Sequence, residues 1–170
     1  MSDFWLFDKV GIASQYYVLA AGIVTAIAIA LGWLMAHHLK LISKIFPKNK
    51  WLIAYIVVPI VLGIYVFHHG GSPQTFALAA LLILSIFWQD FLTFGILQQI
   101  VTAYTKKLGW FIVAVVFWIG HVIFYLPAFG ENVISWLMFF AAAVLLAFLT
   151  SKTKSFYLTD VLHIAFILLI

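Results

Sequence analysis

The chain has no cysteine. Disulfides and thiolate chemistry are therefore excluded, and the redox compartment leaves no mark on the sequence. It has no arginine either, so the formal net charge of +4 comes entirely from lysine. Charge of both signs is scarce: 8% of the 170 residues are charged and 66% are hydrophobic. Soluble domains are about a quarter charged and about half apolar. That balance excludes a soluble globular domain. The few lysines stand between long apolar runs, so they report membrane topology and not a nucleic-acid surface. What remains is an all-α, polytopic transmembrane helix bundle. Lipid already satisfies its apolar surface, so helix packing and interhelical hydrogen bonds must organise it.

A crossing needs about 20 apolar residues. Six segments present themselves, at 15–36, 51–67, 76–104, 110–129, 133–150 and 157–170. The last is short: it is a partial or tilted span, or the helix runs past the covered sequence. Residues 1–14 form an interfacial N-terminal segment, with Phe4-Trp5-Leu6-Phe7 as a short amphipathic anchor. Asp3 and Asp8 give this segment the wrong sign for a signal-peptide n-region. No repeat, low-complexity tract or long linker divides the chain, which reads as one domain.

The lysines sort the spans. Lys40, Lys44, Lys48 and Lys50 follow the first, Lys106 and Lys107 the third, and Lys152 and Lys154 the fifth. Only Lys9, with Asp3, Asp8 and Glu131, falls on the other side. The positive-inside rule then puts the N-terminus outside and the Lys-rich loops in the cytoplasm. Tyr16, Tyr17, Trp51, Trp110 and Trp136 stand near span ends, as aromatic belts do. Small residues four apart in the first span (Ala21 and Thr25, Gly22 and Ala26, Ala28 and Gly32) form a close-packing face. Pro59 removes one backbone hydrogen bond from the second span and is expected to kink it.

Polar residues inside the spans are few, which makes them candidates for chemistry. Asp90 interrupts the third span, and an ionisable group at bilayer depth costs about 2.5–3.5 kcal/mol on insertion scales. Gln89, Thr93, Gln98 and Gln99 accompany it. In the fourth span Phe117 and His121 share a face; in the sixth Asp160 and His163 do. At 1.5 Å per residue, Asp90 lies about 21 Å from the outer end of its span, and His163 and His121 about 10 and 18 Å from their cytoplasmic starts. The three are thus expected to meet in the inner half. A carboxylate and two imidazoles fit a zinc-type ligand set with an open position, or a copper site. Asp160, in the first turn of its helix, is explained by the helix dipole. His37, His38, His68 and His69 are explained by interfacial exposure, and Gln98 and Gln99 by interhelical hydrogen bonds.

The order of these residues resembles the CPBP family of intramembrane metalloproteases (CAAX proteases and bacteriocin-processing enzymes, or Abi family). That family carries Glu-Glu-x-x-x-Arg on one span, Phe-x-x-x-His on the next and His-x-x-x-Asn/Asp on a later one. Here Gln89-Asp90-Phe-Leu-Thr-Phe94-Gly95, Phe117-Trp-Ile-Gly-His121 and His163-Ile-Ala-Phe-Ile167 stand in those places. The resemblance covers about residues 80–170. It implies catalytic positions at Gln89, Asp90, His121 and His163, a metal held by Asp90, His121 and His163, and zinc or another divalent ion as cofactor. The departures are as informative. Gln89 stands where the general base belongs, and a neutral amide cannot accept that proton. Phe94 replaces the arginine and Ile167 the Asn/Asp.

Three readings follow. The chain is a non-proteolytic scaffold or accessory subunit of a membrane complex. Or it is an active metal-dependent endopeptidase that cleaves a membrane-embedded peptide with Asp90, His121 and His163. Or it is a metal- or haem-binding membrane subunit. All three place its partners in the lipid bilayer, as other membrane subunits or peptides, and none involves nucleic acid.

Overall fold

The computed structural model describes residues 5–48, 50–68, 73–124 and 132–169, and among these every regular element is a helix. A short α1 (Trp5–Lys9) precedes the first long helix, α2 (Tyr17–His38). The two are joined by a hydrogen bond from the Tyr17 hydroxyl to Asp8 and by contact of the Phe7 and Tyr17 rings. A four-residue α3 (Ile42–Ile45) leads to α4 (Trp51–His68). Pro73 opens α5 (Pro73–Asp90), the position where a missing N–H costs least. A π-helical segment, Phe91–Leu97, continues α5 into α6 (Gln98–Thr105). Then come α7 (Gly109–Phe124), α8 (Val133–Thr153) and α9 (Phe156–Leu169). His69 and the acids Asp3 and Glu131 lie outside the described residues.

This is an all-α membrane bundle. Ser14–His38, Leu78–Ile123 and Val133–Thr153 are long and apolar enough to cross a membrane, and Trp51–Tyr65 and Phe156–Ile167 are shorter apolar helices. The stretch Leu78–Ile123 is not one rod. It turns at Lys106, where φ is +52°, and α7 then packs back along α6. Lipid-facing residues such as Leu19, Ile23, Ile53 and Ile60 are more than half exposed, as expected where the surrounding solvent is hydrocarbon.

The helix ends show why the chain turns where it does. At the end of α2, Leu41 N–H bonds Ala36 C=O at 2.8 Å and Lys40 N–H bonds His37 C=O at 3.0 Å, a Schellman closure with Lys40 at φ +56°. Lys154 closes α8 in the left-handed region, at φ +53°. Asn132 caps the start of α8, its side chain accepting from Ile134 N–H at 2.9 Å. Among the described residues, the three non-glycine positions with positive φ are lysines of the basic junctions.

Two apolar clusters hold the bundle. One joins Ala36, Leu41 and Ile45 to Phe91, Phe156 and Tyr157. The other joins Phe94 to Val113 and Phe117 of α7 and to Ala143 and Ala147 of α8. The small-residue face of α2 packs as expected against α5 and its π-helical continuation: Thr25 Oγ1 and Ser85 Oγ are 3.4 Å apart, and a Cβ on Gly32 would lie 2.7 Å from Leu92. Gln98 is an interhelical hydrogen bonder, donating to Ala147 C=O at 2.9 Å. Pro59 sits inside α4, which runs on as one helix through it. Residues 37–50, read as a basic loop, instead send α3 into the core: Ile45 is buried, and Gly95 leaves room for its side chain.

The turn between α6 and α7 depends on Gly109, where an added Cβ would stand 2.7 Å from the Thr102 Cα. Backbone cannot swing aside as a side-chain tip can. Gly109→Ala is therefore expected to cost about 1–3 kcal/mol. For a chain of this size that lowers the melting midpoint by about 2–4 °C per kcal/mol, measurable by thermal unfolding in detergent.

Candidate functional site

Three of the polar residues singled out from the sequence converge. Asp90 closes α5, His121 lies late in α7, and His163 sits mid-way along α9. All three are buried, Asp90 completely. His163 Nδ1 and Asp90 Oδ1 are 2.8 Å apart, so the imidazole donates to the carboxylate across two helices. His121 and His163 have ring centroids 6.0 Å apart. Phe117 packs against both, 4.2 Å from the His121 ring and 5.5 Å from that of His163. His121 Nδ1 is 3.0 Å from the Phe117 carbonyl of its own helix. That contact fixes the ring, since a nitrogen facing a carbonyl must carry its proton.

The local sequence explains this arrangement. The π-helical segment begins directly after Asp90, and Gln98 N–H reaches back five residues to Thr93 C=O. One extra residue in the turn re-phases the helix faces, a device found often at functional positions. Phe91, Phe94, Gly95 and Ile96 all become buried, more than one face of a regular helix would hide. Phe94 then lies 4.7 Å from Phe117, ring to ring. The place where the family motif has arginine is thus filled by an aromatic contact.

Two further polar residues of this cluster escaped the sequence reading. Asp160, assigned to the helix dipole, is 1% exposed and lies within side-chain hydrogen-bonding range of Asp90. It also takes a side-chain hydrogen bond from Tyr55 of α4. The signal for Asp160 was its three-residue spacing from His163. Tyr55 gave none, because an aromatic in an apolar span is ordinarily packing. Gln89 is only half-buried, and among the described residues its amide bonds neither imidazole. Ile167 is also half-buried.

Among the described residues no three His, Cys, Asp or Glu side chains are grouped so as to hold a metal ion. Asp90, His121 and His163 therefore share one interior space without the closeness a zinc-type site needs.

A family model described as type II CAAX prenyl endopeptidase Rce1-like matches residues 71–169, more than half of the chain. The chain belongs to this Rce1-like family. The match spans α5 to α9, the elements that contribute Asp90, His121 and His163, and confirms the resemblance drawn from the three motifs. No curated protein and no solved structure matches the chain. His121 and His163, the histidines of the motifs read in the sequence, stand in one buried cluster. The position ahead of Asp90 carries an amide, and the position four residues after Asp90 carries an aromatic ring.

The hydrogen bond between His163 and Asp90 is costly to break, because the carboxylate oxygen is left without a donor in apolar surroundings. Removing His163 alone (His163→Leu) is expected to destabilise the protein by about 1–3 kcal/mol. Adding Asp90→Asn to that variant should recover much of the loss. Melting midpoints of the two single variants and the double variant check this.

Proposed function

We propose that this chain is a membrane-embedded Rce1-like protein that does not hydrolyse peptides and acts as a scaffold or accessory subunit of a membrane complex. One observation carries the reading: the carboxylate left in the motif, Asp90, is fully buried and bound to His163, while the neighbouring position is Gln89. General base catalysis needs a group that accepts a proton from water within about 2.6–3.2 Å. Gln89 cannot accept one, and Asp90 offers its Oδ1 to an imidazole. His121, at 8% exposure, and His163, at 4%, are closed off as well. The long lipid-facing surfaces of α2 and α4 are the surfaces left for partners.

The test uses the substrate class that the family description prints. The full chain, reconstituted in liposomes with a prenylated CAAX peptide, is expected to release no cleavage product above empty vesicles. An active family member serves as positive control. Cleavage that disappears in His121→Ala would overturn the proposal in favour of the endopeptidase.

The orientation belongs to the same reading. Eight of the nine lysines stand at the α2–α4, α6–α7 and α8–α9 junctions, alternate connections along the chain. That supports an outside N-terminus and cytoplasmic basic loops. Because the chain has no cysteine, one introduced thiol reports cleanly. Lys107→Cys in sealed right-side-out vesicles should resist a membrane-impermeant maleimide until the vesicles are opened. Labelling before opening reverses the topology.

A further inference from the structure

Asp160 is a buried acid for which the function above has no use. It lies in the second turn of α9, on the face that also carries His163, against α4 and α5. Asp90 and Asp160 are within side-chain hydrogen-bonding range of one another. Each has a donor on its outer side: His163 for Asp90 Oδ1, and Tyr55 for Asp160. Each also has one buried oxygen with no donor, Oδ2 of Asp90 and Oδ1 of Asp160.

That pattern has a chemical meaning. An ionised carboxylate only accepts hydrogen bonds, so two ionised acids leave both orphan oxygens unfilled. They also place two like charges side by side where the dielectric is low. No fixed cation relieves them. The chain has no arginine, and every lysine it has outside α1 is exposed at a basic junction. The groups facing the pair are Tyr55 from α4, Tyr157 and His163 from α9, and His121 from α7 beyond His163. One hydrogen between the acids satisfies both orphans and removes the repulsion.

We propose that Asp90 and Asp160 form a proton-binding site, holding a single proton between them as one carboxylic acid and one carboxylate. The site ties α4, α5 and α9 through the chain Tyr55–Asp160–Asp90–His163. It supplies the neutralisation that a basic residue would otherwise provide, and it stands whether or not the chain cleaves peptides.

Infrared spectroscopy of the full chain in liposomes at neutral pH tests this. Exposed Asp and Glu are ionised there, and the chain has only five acids. The wild type is expected to show a protonated-carboxyl C=O band that shifts in D2O. The band is lost in both Asp90→Asn and Asp160→Asn, because either amide supplies the missing hydrogen. Absence of the band in wild type overturns the proposal, and so does a band that survives in either variant. Stability gives a second arm. Asp160→Asn should melt with the wild type, whereas Asp160→Ala, which leaves Asp90 Oδ2 without a donor, should melt clearly lower. Equal losses in the two variants would sink the shared proton. Should neither Asn variant fold, the wild-type band alone decides.

Discussion

A carboxylate with no exposure to its surroundings must be answered by hydrogen-bond donors, and in this chain that demand fixes the docking of the last helix. Asp90 ends α5, and its donor, His163, lies 73 positions further along the chain. For the two to meet, α9 must sit against α5 at one rotation and one depth, because a slip by one residue turns a helix face by about 100°. The apolar contacts are less selective. Lipid is as apolar as the residues of α9, so burying leucine or isoleucine against a neighbouring helix gains little over facing hydrocarbon. Phe156 and Tyr157 at the start of α9 pack on Phe46, Tyr55 and Phe91 in an aromatic cluster that accommodates several arrangements, whereas the 2.8 Å bond accepts one.

The π-helical segment serves the same constraint from the other side. Without the extra residue, the buried face of α5 would continue regularly into α6. With it, Phe94 reaches Phe117, Gly95 admits Ile45 of α3, and Gln98 reaches the α8 backbone. One local irregularity lets a single helix address α2, α3, α7, α8 and α9 along its length. It also seats Phe94, which stands where the motif of the resemblance has arginine, against Phe117. An aromatic at position 94 is held by ring contacts and requires no carboxylate partner, and the Asp90 carboxylate is bound by His163.

Much of this was legible in advance, and the physical reasons are specific. Apolar runs of about 20 residues leave the backbone no choice but helix in a bilayer, so the helices could be placed from composition. His121 and Phe117 had to share a face because helical spacing puts them there. Asp90 stood out because a charge at that depth is rare. Asp160 was assigned to the helix dipole, although its spacing from His163 carried the opposite signal. Tyr55 could not be found, since nothing local distinguishes a phenol that bonds a carboxylate from one that packs. The short α3 was hidden for a related reason: Ile45 sits among lysines, and only the room above Gly95 makes it core.

What the amino-acid order settled by itself was the class and the cast: an all-helical membrane chain, its Rce1-like motifs, and the few polar groups able to act. Those follow from hydrophobicity and periodicity, which are local. Tertiary structure decided which of those groups answer one another. Asp90 chose His163 and Asp160 as neighbours over the adjacent Gln89, and His121 turned to its own backbone. Such choices depend on the rotation and depth of separate helices, and no property of a single segment encodes them.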